Sequence, residues 1–364
     1  MKKSGLLSFL LISVIILLSA CGSEETSGDG NDEEEKKDKL KIYTTVYPLQ
    51  FFTSEIGGDT VEVESILPPG ADAHTYEPTT KEMVDMAGAD LFVYNGAGLE
   101  GYAEKISEAL KPEGTTVLEA AGDMDLNAHV HDHGAEDSHE AETADEHAEH
   151  EHSHEGETEE EHAEHEDSHE GETEEEHAEH EDSHEGHDHG ENDPHVWLDP
   201  VRSIELAESI KEQLIELNPE KEDLYVENFE ALKGKLTALD EQFHKQVNAQ
   251  PKDKIIVSHA AYGYWEEAYG IEQIAVSGLS PTNEPSQKDL EEIIHVAEEE
   301  DLKYVIFEQN ITPKVSKVIQ DEIGAEPLQF HNLAVLTEED VEEGEDYFSL
   351  MEQNLEVLYK ALAE

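Results

Sequence analysis

The amino-acid sequence predicts an α/β protein with two lobes, each built on a mainly parallel sheet. Short apolar runs of strand character recur along the chain, and stretches with helical spacing separate them. Strands that alternate with helices favour parallel sheets covered by helices on their faces. One much longer helical stripe lies between the two alternating regions, and a segment of extreme composition interrupts the first region.

The first predicted lobe covers residues 40–200 and begins with three strands. The expected strands span 39–47, 61–67 and 90–94, and the expected helices span 80–87 and 102–110. Pro68-Pro69-Gly70 ends the second strand and Asn95-Gly96 ends the third, because Pro lacks a backbone N–H and Gly and Asn favour turns. The alternation indicates a largely parallel sheet.

The predicted connector, residues 201–250, carries the long helical stripe. Its apolar positions are three or four residues apart, as one face of a helix requires: Tyr225, Phe229, Leu232, Leu236, Leu239, Phe243 and Val247. A helix of nearly thirty residues is about 40 Å long at a rise of about 1.5 Å per residue. It could run the full height of a two-domain protein or serve as an ordinary amphipathic core helix.

The second predicted lobe covers residues 251–364 and repeats the strand–helix pattern. Strands are expected at 254–258, 271–276, 302–307 and 327–330, and helices at 290–300, 315–323 and 347–362. The length of 364 residues agrees with about two domains.

The N-terminus indicates export and a lipid anchor. Residues 1–20 have the basic start, the apolar run and the small residues of a secretory signal peptide. Cys21, the single Cys, follows Leu-Ser-Ala and resembles a bacterial lipobox, in which that Cys is acylated. An ordinary signal with an unrelated Cys is the alternative. Residues 21–39 read as a flexible tether, so we expect the protein on the outer face of the cell membrane.

The charge balance excludes several classes of partner. The chain has 91 Asp and Glu against 22 Lys and Arg, for a formal net charge of −69. Nucleic acids and anionic lipid headgroups are bound by dense basic residues, so neither is expected as a partner. A single Cys also excludes an internal disulfide framework and a Cys-based zinc finger. We expect a monomer.

Residues 129–190 form a His- and Glu-rich insertion in the first lobe. It contains sixteen of the 22 His and a 15-residue repeat that begins at Glu146, Glu161 and Glu176. No face of it is apolar, so we expect a disordered surface loop. Imidazole and carboxylate favour zinc, copper or nickel over calcium, and the loop is expected to bind metal through His such as His129, His131, His133, His150, His152, His154, His187 and His189. It could feed metal to the fold, sense excess metal or shield the site.

Three His outside the insertion occupy informative positions. His259 ends a predicted strand, His74 follows another, and His195 lies where the insertion re-enters the fold. Ligands bind at the carboxyl ends of strands in open α/β sheets, so these side chains are expected to converge. Three imidazoles make a zinc site with a fourth position for a carboxylate or water. His244 and His295 fall within helices and are expected to face solvent or to be satisfied in the core, and His331 is left undecided.

Four strings of residues resemble the metal-binding lipoproteins of zinc and manganese ABC importers, most closely their zinc-specific, ZnuA-like branch. They span 67–78, 193–200, 258–265 and 280–286, in that order. The resemblance implies two lobes joined by one long rigid helix, with metal in the cleft and His74, His195 and His259 as ligands. A carboxylate replaces the third His in manganese relatives, so His259 favours zinc.

The resemblance does not identify the fourth metal ligand. Some zinc relatives supply a Glu where this chain has Ala334. A water, a His of the insertion, His331 or Glu308 could take that position.

The expected function is therefore capture of Zn(II) outside the membrane and its delivery to an ABC permease, with no catalysis. The first alternative is a surface zinc store based on the insertion. The second is a three-His zinc hydrolase, but outside residues 129–190 the predicted lobes contain neither a His-Glu-x-x-His motif nor a Gly-x-Ser-x-Gly elbow. A store would bind many ions with no high-affinity class, whereas an importer component would show one tight site.

Overall fold

A computed structural model describes residues 39–127, 192–310 and 313–363. Within them the chain forms two four-stranded parallel sheets with helices on their faces, which confirms the predicted fold class. The signal peptide, Cys21, most of the tether and the insertion at 129–190 lie outside the described residues. None of the helices in the described part is long and apolar enough to cross a membrane.

The first sheet has the strand order β2-β1-β3-β4, with all neighbours parallel. Its strands are β1 (Leu40–Thr44), β2 (Val61–Ser65), β3 (Leu91–Tyr94) and β4 (Thr116–Glu119), and its helices are α1 (Tyr47–Gly57), α2 (Thr80–Met86) and α3 (Ala103–Leu110). The central strands β1 and β3 are buried, as parallel sheets covered on both faces require.

Two features of this sheet differ from the sequence prediction. The first strand was expected to reach residue 47, but it ends at Thr44 and α1 begins at Tyr47. Pro48 lies in the first turn of that helix, where its missing N–H costs no hydrogen bond. Strand β4 was not predicted, because four residues of mixed polarity at a sheet edge give too short a pattern.

The second sheet repeats the first in its order, β6-β5-β7-β8, and is again entirely parallel. Its strands are β5 (Lys254–His259), β6 (Glu272–Ser277), β7 (Tyr304–Glu308) and β8 (Glu326–Phe330). The helices that follow these strands in the chain are α6 (Gly263–Tyr269), α7 (Gln287–Glu299), α8 (Lys314–Ile323), α9 (Glu338–Glu343) and α10 (Tyr347–Ala363).

Two long helices, α4 (Pro200–Leu217) and α5 (Glu222–Val247), run between the sheets in sequence. The seven predicted stripe residues of α5 are all buried, and its 26 residues span about 39 Å. Near its start, Asn228 Nδ2 donates to Ile56 O at 2.9 Å. Near its end, Phe243 packs on Trp265, with ring centroids 5.3 Å apart. One helix therefore contacts elements from both sheets, although the predicted lobe boundaries stay a prediction.

Local capping fixes where several helices begin. Asp199 Oδ1 accepts hydrogen bonds from the backbone N–H groups of Val201 and Arg202 at the start of α4, at 2.7 and 2.9 Å. Reciprocal capping boxes begin α2, α7 and α9. Such caps satisfy backbone donors that the first turn leaves unpaired. They hold the loops that precede these helices in fixed directions.

Candidate metal centre

The three His that the sequence predicts to converge, two of them after predicted strands, lie close together. His74 Nε2 lies 3.2 Å from His195 Nε2, and His259 Nε2 lies 3.4 Å from the same atom. The nitrogen atoms that could bind a metal all lie within 4.8 Å of one another. His195 and His259 are buried and His74 is half-buried, so the cluster opens to solvent on the His74 side.

His195 is fixed by the residues on both sides of it. Asp193 Oδ1 accepts from the His195 backbone N–H at 3.0 Å and from the ring Nδ1 at 2.8 Å. A single 3₁₀ turn, Val196–Leu198, follows directly, and the Trp197 ring packs edge-on against the imidazole at 5.4 Å. The short turn and the carboxylate together set both the position and the rotation of the ring.

His259 owes its orientation to strand register. Val257 of β5 lies opposite Ile306 of β7, so two residues further along His259 lies beside Glu308. The Glu308 carboxylate contacts His259 Nδ1, and both side chains are buried. Burial alone would raise the pKa of Glu308, but His259 and a 2.7 Å hydrogen bond from Asn332 Nδ2 hold that pKa below its ordinary value. Glu308 is therefore ionised beside the ring at neutral pH.

His74 lies on the loop after β2. Asp72 Oδ1 accepts from the His74 backbone N–H at 3.0 Å, and the second carboxylate oxygen accepts from Thr75 Oγ1 at 3.0 Å. The loop also reaches residues that follow β7 and β8. Asn310 Nδ2 donates to Ala71 O at 3.1 Å, and Gly70 N donates to Leu336 O at 3.1 Å. Hydrogen bonds between loops, rather than a sheet, hold this His in place.

The ring contacts determine what the cluster can bind. When the Nδ1–H groups of His195 and His259 donate to carboxylates, the lone pairs lie on Nε2. Two lone pairs 3.4 Å apart cannot hydrogen-bond to each other, but both can bind one cation. Four ligands around zinc at bonds of about 2.0–2.1 Å stand about 3.3 Å from one another. The observed separations of 3.2 and 3.4 Å match that spacing.

The loop after β8 forms hydrogen bonds with the residues that contact two of the three His. Asn332 donates to Glu308, and its carbonyl oxygen accepts from Trp197 Nε1 at 2.8 Å. The next residue, Leu333, has a φ of 58°, a left-handed conformation that is costly for a branched side chain. Its N–H donates to His331 Nδ1 at 3.0 Å. This loop therefore stores strain while holding the groups behind His195 and His259.

The two side chains considered for a fourth ligand have other contacts. Glu308 faces Nδ1 of His259, on the side of the ring away from the cluster. His331 Nε2 lies 3.0 Å from Asp340 Oδ2, and its Nδ1 accepts from Leu333. Ala334 is buried, and its carbonyl accepts from Tyr47 N at 2.9 Å. The His of the insertion lie outside the described residues.

The two His expected to face solvent or to be satisfied in the core lie on helices outside the three-His group. The side chain of His244, on α5, is 47% exposed, and that of His295, on α7, is 75% exposed. Both have a carboxylate one helical turn away, at 3.7 and 3.8 Å.

Sequence reasoning did not find Asp193 and Asn332 as supporting residues. A signal for Asp193 was present, because Asp72-Ala-His74 and Asp193-Pro-His195 share the spacing Asp-x-His. In both, the carboxylate accepts from the His backbone N–H at 3.0 Å, a turn typical of Asp. Asn332 forms a similar turn, because its Oδ1 accepts from Ala334 N at 3.1 Å, but the partners that connect it to the site lie at least 22 residues away in the sequence.

The chain matches a known protein family over most of its length. The model of the family described as zinc-uptake complex component A, periplasmic (ZnuA), matches residues 42–361. The zinc-binding lipoprotein AdcA of Streptococcus pneumoniae is 32% identical over 358 residues, which cover 98% of this chain and 60% of that protein. The chain thus spans about 60% of the length of that relative.

Two further matches cover nearly the whole of the matched chain. The high-affinity zinc uptake system protein ZnuA of Bacillus subtilis is 31% identical over 361 residues, 99% of this chain and 98% of that protein. The crystal structure of the Zn(II)-bound ZnuA-like domain of Streptococcus pneumoniae AdcA has a TM-score of 0.65 and 30% identity, covering 90% of this chain and 100% of that one. The chain belongs to the zinc-uptake complex component A family.

Proposed function

We propose that this member of the zinc-uptake complex component A family captures Zn(II) at His74, His195 and His259 and delivers it to an ABC permease. One observation carries the proposal: ligand nitrogens of three His lie within 4.8 Å of one another, and the Nε2 atoms of His74 and His259 each stand at the spacing of zinc ligands from that of His195. They come from the loop after β2, from the segment that precedes α4 and from the end of strand β5. Zinc is the cargo in this proposal, and the relatives named as zinc-binding support its identity.

The carboxylates behind two of the rings suit capture of a scarce cation. Asp193 and Glu308 contact Nδ1 of His195 and His259, which orients both rings and leaves their Nε2 lone pairs for the metal. Outer-shell carboxylates of this kind typically contribute about 10–100-fold to metal affinity. Since both rings are buried and held before metal arrives, binding orders little besides the His74 side.

Release is proposed to proceed by movement of the His74 loop. Helix α5 packs against elements of both sheets, so a large hinge motion would break its buried contacts. The loop at 66–79 is attached to the region after β7 and β8 through hydrogen bonds of Gly70 and Ala71. Breaking these few bonds on docking to the permease would withdraw one ligand and weaken the site.

We further propose that Cys21 carries a lipid anchor and holds the protein on the outer face of the membrane. The N-terminal sequence supports it, and so does the word lipoprotein in the name of the pneumococcal relative. In this proposal the protein acts as a monomer beside its permease and performs no catalysis. Its cycle is to bind zinc, dock and release.

Zinc titration calorimetry on the whole chain tests the site. The intact protein should show one tight zinc per chain above a class of weaker ions. His74→Ala, His195→Ala and His259→Ala should each remove the tight class and leave the weaker class unchanged, because the insertion is untouched. His295→Ala, on an exposed helix surface, is the matched control and should bind like the intact chain.

A second chain lacking residues 129–190 separates the importer proposal from the zinc store. If the tight zinc persists without those residues and disappears with the three substitutions, the cluster is the capture site. If zinc binding instead vanishes with the deletion, and the three substitutions change nothing, the insertion is the binding element and the proposal is wrong.

A further inference from the structure

The chain contains a single arginine, Arg202, which lies in the first turn of α4. Its side chain, 17% exposed, makes three hydrogen bonds. It donates to Asp125 O at 2.6 Å, to Asn127 Oδ1 at 3.4 Å and to Glu267 Oε2 at 3.0 Å. The first two partners belong to the stretch that follows β4, and the third lies on α6.

The same guanidinium stacks on an aromatic ring. Arg202 Cζ lies 4.3 Å from the centroid of Tyr264, a second residue of α6. Asn127 closes the arrangement, because its Nδ2 donates to the same Glu267 carboxylate oxygen at 3.0 Å. A planar guanidinium can hydrogen-bond at its edge and stack on its face at once, which a lysine ammonium cannot do. These contacts join residues 125–127, α4 and α6 into one rigid cluster, the stem clamp.

The stem clamp leads directly to a zinc-site residue. Asp193 N donates to Asn127 O at 2.9 Å, and Tyr264 Oη donates to Asp193 O at 2.6 Å. Two residues of the clamp thus hold both backbone polar groups of Asp193. The Asp193 carboxylate in turn holds the backbone and the ring of His195.

The space around Asp193 leaves little freedom for movement. A Cβ atom on Gly263, the first residue of α6, would lie 2.7 Å from Asp193 Oδ2. Asp193 itself is 3% exposed. Because α6 presses on the carboxylate while Asn127 and Tyr264 hold its backbone, a shift of the stem clamp has to be transmitted to Asp193 and then to His195.

We propose that Arg202 is a positioning residue for zinc capture, which acts on His195 through the stem clamp and Asp193. The inference rests on the proposed function, since it assigns a role to a residue that reaches the ligand His195 only through Asn127 or Tyr264 and then Asp193. Without the guanidinium, residues 125–127 separate from α6 and Asp193 loses its fixed backbone. His195 then samples orientations that do not point at zinc, and zinc leaves faster.

The test compares Arg202→Met with the intact full-length chain. Met keeps an apolar side chain over Tyr264 but removes every hydrogen bond of the fork. One equivalent of zinc is bound, and its release to an excess of chelator is timed. Release should be about threefold to tenfold faster, below the range typical of a direct partner of a ligand. The visible spectrum of the chain with one equivalent of Co(II) should also change, because it reports ligand geometry.

Lys211→Met is the matched control. Lys211 lies on the same helix, forms an ion pair with Glu208 at 2.9 Å and covers the Phe229 ring at 4.5 Å. It repeats the chemistry of Arg202 at a place that does not contact the three-His cluster. Its loss should leave both the release rate and the Co(II) spectrum as in the intact chain, even if thermal stability falls.

Two further variants decide the matter if Arg202→Met does not fold. Arg202→Lys should release zinc faster than the intact chain, because the charge returns without the fork. Tyr264→Phe removes only the hydrogen bond to Asp193 O and should also speed release, and the effects of these two variants should be less than additive, since both act on Asp193.

The outcomes separate the two proposals. If the intact chain holds one tight zinc at the three His, but the Arg202 and Tyr264 variants release it at the intact rate with unchanged Co(II) spectra, the positioning role is overturned. If the intact chain holds no tight zinc there, the proposed function itself fails.

Discussion

The cluster has a rigid side and a loop side. On the rigid side, His195 and His259 are each 2% exposed, and a buried carboxylate contacts Nδ1 of each ring. On the loop side, His74 is half-buried and is placed by a turn and by hydrogen bonds between loops. The two sheets have the same strand order, so topology alone does not create this difference.

The difference shows how a transport site can be both selective and reversible. Two fixed ligands define the geometry that a cation has to match, because their rings cannot turn without breaking buried hydrogen bonds. One ligand on a loop gives the cation a way in and out. Variants on the two sides of the cluster should therefore differ in stability and in zinc affinity.

The largest expected contrast is in the stability of the zinc-free protein. His259→Ala leaves the Glu308 carboxylate buried without the imidazole that contacts it. Breaking a buried pair from one side typically costs about 3–5 kcal/mol. His74→Ala removes a half-buried side chain and should cost no more than about 1 kcal/mol. Denaturant unfolding of both variants with excess chelator measures the two free energies.

A double variant provides the control for this contrast. Adding Glu308→Gln to His259→Ala removes the stranded charge and should recover part of the lost stability. Equal losses for His259→Ala and His74→Ala would show that the cluster has no rigid side.

The next contrast compares the two Asp-x-His turns in zinc affinity. Asp193→Asn weakens the contact to the His195 ring as well as that to its backbone, so zinc should bind about 10–100-fold more weakly. Asp72→Asn changes contacts to the His74 backbone and to Thr75, and the expected loss is about threefold or less. Competition with a chelator of known affinity gives both values.

Both variants keep the size of the side chain, so packing is not a confounding difference. A loss for Asp72→Asn as large as that for Asp193→Asn would place His74 on the rigid side and contradict the proposed release through its loop.

The smallest expected effect concerns pH and the loop behind the rigid side. Burial lowers the pKa of His331 from its ordinary value of 6.5, although the nearby Asp340 acts in the opposite direction. The unfolded chain therefore takes up this proton more readily than the folded protein. Stability should be lost as pH falls below about 6.5, until the lowered pKa of the folded protein is passed.

The measurement is the unfolding free energy of the zinc-free chain between pH 7.5 and pH 5, beside that of His331→Asn. The Asn side chain can still accept from Leu333 N but does not titrate. The variant should lose less stability over this interval than the intact chain. Parallel curves would mean that His331 takes no part in acid destabilisation.

Much of the fold could be predicted because the apolar pattern is strong where burial is strong. The stripe from Tyr225 to Val247 predicted α5, and the runs around β1, β3, β5 and β7 predicted the central strands. Prediction failed where burial is weak. The edge strand β4 has no clear period, and the switch from β1 to α1 depends on local backbone geometry around Pro48.

By itself the sequence determined the chemistry available to this protein. It supplied three imidazoles near strand ends, a lipobox-like Cys21, the two lobes and a His-rich insertion. These are properties of residue type and local spacing, which a linear pattern records.

Only the tertiary structure decided which groups act together. Glu308 faces the ring of His259 because β5 and β7 are neighbours in register, and Asn332 reaches Glu308 because the loop after β8 folds back. Arg202 contacts residues 125–127 across a separation of more than seventy positions. Such partners are chosen by the packing of distant segments, whose free energy depends on buried contacts that no local pattern specifies.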